Sequence, residues 1–115
     1  MSEAEFEEVV AAGLDSVPPD LTAAMDNVVV LVDDEPPPDE PSDTLGLYVG
    51  VPLTDRTVLG GGLELPDRIM IYRGPTLRAC RDRDEVVREV AVTVVHEIAH
   101  HFGIDDRRLH ELGWD

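Results

Sequence analysis

The sequence predicts an α+β fold in a single domain spanning residues 1–115. Three observations carry that expectation. Apolar residues recur near a 3.6-residue period at both ends of the chain, over residues 3–14 and 86–102. Between them stand apolar, β-branched runs at 28–32 and 68–73, with a further strand candidate at 45–51. The length, 115 residues, suits one core that buries about two-thirds of the unfolded chain's surface.

The first helix is expected over residues 3–14, with Phe6, Val9, Val10 and Gly13–Leu14 on one face. Val17-Pro18-Pro19 breaks it, and Asp20 is placed to cap a short helix through Met25. The continuous apolar run Val28-Val29-Val30-Leu31-Val32 reads as a buried strand. DDEPPPDEPSDT, residues 33–44, reads as an exposed, extended acidic loop. A second strand is expected at 45–51, stopped by Pro52, then a loop over 54–62 that ends in three glycines. No Lys-Ser or Lys-Thr follows those glycines, so they do not form a phosphate loop. Arg68-Ile69-Met70-Ile71-Tyr72-Arg73 is the third strand, and Pro75 suits the first turn of a short helix through Arg81.

Residues 86–95 are rich in valine and could form a strand. Three features favour a helix: a capping-box-like start at Asp82 and Glu85, an apolar stripe of Val87, Ala91, Val94, Val95, Ile98 and Phe102, and a polar face of Glu89, Thr93, His96, Glu97 and His100. A half-buried strand would scatter the polar group over both faces.

Nine arginines stand against 25 acids, without a lysine, for a net charge of −16. The first 55 residues hold 14 of the acids and no basic residue. Nucleic acid and anionic membranes are poor partners for such a surface, whereas a basic peptide or protein is favoured. The single cysteine, Cys80, excludes an internal disulfide and is expected as a small core residue. With no cationic leader in MSEAEFEEVV and no apolar run of spanning length, the expectation is a soluble, cytoplasmic protein.

All four histidines fall within HEIAHHFGIDDRRLHELGW, which begins at His96. His96 and His100 are one helical turn apart, so their rings share a face and can reach one Zn²⁺ ion. Glu97 is rotated by about 100° from His96, beside the ion and placed to take a proton from a water activated there. Gly103 suits the left-handed conformation that ends a helix and lets the chain reverse. Asp106 then comes within reach as a third ligand; Asp105 and Glu111 are the alternatives. His101 is expected to be an outer or exposed residue and His110 a surface or packing one. Trp114 is expected to pack the tail over the last turn.

The stretch from His96 to Asp106 matches HExxHxxGxxD and resembles the Asp-zincins, metallopeptidases whose zinc is bound by two histidines and an aspartate. With Leu65-Pro66-Asp67-Arg68-Ile69 upstream, the chain is similar to the small bacterial zincin-like metallopeptidases. The resemblance implies a small mixed sheet packed on the active-site helix, with an edge strand that pairs with extended peptide. It also implies His96, His100 and Asp106 as zinc ligands and Glu97 as the catalytic base. The last methionine is Met70, so the methionine turn of larger relatives has no counterpart after the motif. Three functions follow as expectations: a zinc-dependent peptidase, a non-catalytic zinc-stabilised domain, or an acidic protein-interaction module.

Overall fold

The computed structural model describes residues 1–23, 28–50, 66–101, 103–104 and 106–111, with the backbone alone at 20, 22 and 106. Helix α1 (Glu3–Asp15) starts where the Ser2 hydroxyl accepts the Glu5 N–H at 3.1 Å. It buries Phe6, Val9 and Val10. Helix α2 (Pro19–Ala23) begins one residue before the expected cap, so Asp20 lies inside it. A proline needs no N–H partner in the first turn, and its fixed φ already matches the helix.

Strand β1 (Val28–Asp33) corrects the expectation of a buried strand. It lies at one edge of the sheet and alternates in burial, with Val29 and Leu31 38% and 43% exposed. Val28, Val30 and Val32 pack on the core instead. A continuous apolar run signals two-sided burial only where helices cover both faces. Here α1 and the long C-terminal helix pack on one.

Strands β2 (Gly46–Val49) and β3 (Asp67–Tyr72) complete a three-stranded sheet among the described residues, in the order β1-β3-β2. β1 runs parallel to β3, with Val30 opposite Ile69, and β2 runs antiparallel to it, with Tyr48 opposite Ile69. The glycine-rich loop expected at 54–62 lies outside the described residues. Helix α3 (Arg73–Ala79) follows β3 directly and ends two residues sooner than expected. The acidic loop after β1 is exposed over most of its length, as expected, and is tied to α3 by Arg73–Asp34 at 3.0 Å and Arg78–Glu35 at 2.8 Å.

Helix α4 (Arg83–His101) settles the valine-rich segment. The Asp82 carboxylate accepts the Glu85 N–H at 2.9 Å, and the Glu85 carboxylate accepts the Arg81 N–H. Ala91, Val94, Val95 and Ile98 are buried as expected, joined by Val86, Val90 and Ala99. Phe102 and Trp114 lie outside the described residues. The core sits between α1, α4 and the inner face of β3, where Ile69 and Ile71 are fully buried. Each such side chain contributes about 1.5–3 kcal/mol of apolar burial, enough to override the weak helix propensity of the valines. Cys80 is half-buried against this core. No described helix is long and apolar enough to cross a membrane. The class is α+β, as the sequence predicts.

Candidate metal centre and cleft

The polar face of α4 opens onto a cleft of about 310 Å³ between the helix and β2. All five residues that the helical period gathers there, Glu89, Thr93, His96, Glu97 and His100, line it, together with Leu45, Gly46 and Val92. His96 is half-buried and His100 exposed; their ring centroids are 5.8 Å apart and the planes meet at 78°. Two imidazoles one turn apart on one helix, both facing a cleft, are an arrangement able to supply two donors to a zinc ion. They stand in the last turns of α4, where the helix dipole favours a cation.

Gly46 sets the width of the cleft. A Cβ there would lie 2.5 Å from the Thr93 methyl and 2.9 Å from the Met70 carbonyl oxygen. Thr93 is itself held, its hydroxyl donating to the Glu89 carbonyl at 2.8 Å. The absence of a side chain at 46 is therefore what lets α4 lie against β2.

The backbone of β2 offers hydrogen-bonding groups to this cleft. The Tyr72 N–H donates to Leu45 O at 2.9 Å. In an antiparallel ladder hydrogen-bonded pairs alternate, so Gly46 and Tyr48 direct their N–H and C=O groups away from β3. The Tyr48 N–H faces the Glu97 carboxylate and favours its charged form. Burial pushes the Glu97 carboxyl above its ordinary value; His100, His96 and the Tyr48 N–H act in the opposite sense, and Glu40 from the acidic loop adds a like charge. Glu97 is thus a half-buried carboxyl that lines the same cleft as two imidazoles and the start of β2.

Tyr48 and Asp67 are not among the candidates that the sequence offers. The Tyr48 hydroxyl donates to the buried Asp67 carboxylate at 2.6 Å. Its ring stacks on His101, with centroids 4.0 Å apart and planes 13° from parallel. His101 is exposed, as expected. These contacts join residues far apart in the chain, and no local pattern announces them.

The α4 terminus forms as the sequence predicts. Gly103 has φ of 79°, its N–H donates to His100 O at 3.3 Å, and the Ile104 N–H donates to Ala99 O at 2.7 Å. This is a Schellman turn, and the half-buried Ile104 packs on the core behind it. Helix α5 (Asp106–Glu111) then begins with Asp106, anchored by the fully buried Leu109. The Asp106 side chain and all of Asp105 lie outside the described residues. Among the described residues no three potential ligands gather on one point. Glu111, the other alternative, sits against Arg108 at 3.1 Å and Arg107 at 3.7 Å. His110 is exposed.

Comparison with known proteins fits this geometry. The structure is similar to that of a conserved hypothetical protein from Thermus thermophilus, with 24% identity, a TM-score of 0.57, and coverage of 89% of this chain and 94% of that one. That likeness shows the fold. No curated protein matches the chain. The sequence model of the zincin-like metallopeptidases matches residues 25–114, which include all three strands, the cleft and the histidine motif. On that match, the chain belongs to the zincin-like metallopeptidase family.

Proposed function

We propose that the protein is a zinc-dependent peptidase in which His96, His100 and Asp106 hold the ion and Glu97 is the general base. The observation that carries this reading is the position of Glu97, half-buried in a cleft that both imidazoles and the start of β2 also line. The family implies zinc, and two imidazoles with a carboxylate from the start of α5 are an ordinary donor set for it. Zinc, when bound, polarises a scissile carbonyl and makes a water molecule acidic enough to attack near neutral pH. Glu97 takes the proton of the attacking water and passes it to the leaving amine. Its burial-raised basicity suits that transfer.

The substrate is an extended peptide added to the edge of β2. The outward N–H and C=O of Gly46 pair with its backbone, and Glu89 and the acidic surface favour basic side chains. The test compares wild type with Glu97→Gln, both loaded with zinc, on a mixed peptide substrate. Hydrolysis falls by about 10²–10⁴-fold in the variant, while zinc content and melting temperature hold. Equal hydrolysis by both proteins would remove Glu97 from the mechanism.

A purely structural zinc is the weaker reading. Leu109 is fully buried and docks α5 on the core by apolar contact, so the turn after α4 has an anchor of its own. Unfolding on chelation of zinc would reverse that preference.

A further inference from the structure

Tyr48 links the edge strand to both β3 and the end of α4. Three of its groups are engaged at once. The phenol donates to Asp67 at 2.6 Å, on the neighbouring strand. The ring lies flat on His101, in the last turn of α4. The backbone N–H points outward from the sheet toward the cleft.

Asp67 is 9% exposed and on the central strand, so it is a fixed point. A hydrogen bond to a buried carboxylate is stronger than one between neutral groups. His101 immediately follows His100, so the stack fixes the end of α4 that carries the histidines. β2 is only four residues long and is paired on one side among the described residues. Such a strand frays unless side chains hold it.

We propose that Tyr48 is a positioning residue: phenol on Asp67 and ring on His101 lock the short edge strand to the end of α4, and so hold its outward backbone N–H where it can donate to Glu97 and orient that carboxylate. A second consequence follows. With its N–H committed to Glu97, Tyr48 has no donor left for a substrate backbone. An extended peptide then draws its N–H donor on this edge from Gly46, and Tyr48 limits the length over which substrate pairs.

The inference rests on the reading of Glu97 as general base, but its test needs neither metal nor substrate. The measurement is amide hydrogen exchange of the metal-free, full-length protein, followed at residue 48 by NMR. An outward N–H on an edge strand exchanges quickly unless something accepts it. The amide of residue 48 is expected to be protected in wild type. That protection falls about tenfold in Glu97→Ala, in Tyr48→Phe, which loses only the hydroxyl, and in His101→Ala, a change at an exposed site that leaves folding intact. Asp67→Asn keeps an acceptor oxygen but loses the charge, and gives a value between wild type and Tyr48→Phe. Amides of α1 around Val9 and Val10 do not change in any of them. Unchanged protection at residue 48 in Tyr48→Phe and His101→Ala would overturn the proposal. So would a loss spread equally over α1, which marks general destabilisation. Absence of peptide hydrolysis would sink the peptidase reading and leave this result standing.

Discussion

Adding one methyl group at Gly46 should both destabilise the protein and misplace its site. The Cβ of Gly46→Ala would lie 2.5 Å from the Thr93 methyl, where two carbons prefer about 3.5–4.0 Å. Thr93 is buried and its hydroxyl is bonded to Glu89 O, so it does not rotate away. The second close neighbour, Met70 O at 2.9 Å, belongs to the central strand. The relief left is a movement of α4 off β2 by about 1 Å. Overpacking of this kind costs about 1–3 kcal/mol, against which alanine recovers about 0.5–1 kcal/mol of glycine's backbone entropy. A net loss of about 1–2 kcal/mol is expected in urea unfolding of the metal-free protein. Thr93→Ser removes the offending methyl and keeps the hydroxyl, at a cost of about 1 kcal/mol by itself. In the double variant the two changes couple favourably by about 1 kcal/mol or more. A peptidase built on this cleft should also lose activity by about 10²-fold in Gly46→Ala, because the reacting groups shift by about 1 Å. Additive behaviour of the two substitutions, or no destabilisation from the first, would refute the packing argument.

Other outcomes are open to direct measurement. Gly103→Ala forces a side chain into φ of 79°; it should lower stability by about 1–2 kcal/mol and weaken zinc binding through the frayed last turn, as read by competition with a chelator. In the metal-free protein the folded-state pKa of Glu97 is raised by burial, so the protonated form favours folding at low pH and that contribution is lost as pH rises through the folded value. Glu97→Gln should therefore stabilise the metal-free protein at neutral pH, with the gain vanishing below the ordinary glutamate range; a gain independent of pH would contradict the assignment. Removing zinc should lower the melting temperature without unfolding the chain, since Leu109 and Ile98 anchor their helices by apolar burial; circular dichroism after chelation reads this. Glu89→Gln should reduce any preference for Arg- or Lys-containing peptides while leaving cleavage of neutral ones unchanged, and the preference should weaken with salt.

The helical part of this molecule is written in its sequence because each signal is local. The polar face of α4 is recognisable from Glu89 to His100 by period alone, and those five residues share one cleft. Asp82 and Glu85 mark its start, and Gly103 its end, since only a few backbone groups decide each cap. What the sequence hides depends on pairing between distant segments. The run at 28–32 has the composition of a covered strand, yet the arrangement of helices leaves Val29 and Leu31 exposed. The roles of Gly46, Tyr48 and Asp67 arise when β2 meets β3 and α4, and neither composition nor spacing encodes that meeting. By period Thr93 belongs to the polar face, but the close approach of Gly46 buries it. Asp106 stands at the first residue of α5, the position from which the reversal at Gly103 makes a carboxylate the third ligand in our reading.

The most direct test is a crystal of the zinc-loaded protein with the ion located by anomalous scattering at the zinc edge. The expected result is one ion per chain, with nitrogens of His96 and His100 at about 2.0–2.1 Å, a carboxylate oxygen of Asp106 at about 2.0–2.2 Å, and Glu97 beside the ion without coordinating it. An ion held by Glu111 or by Glu97 itself, or no ion between the two imidazoles at saturating zinc, would contradict the account.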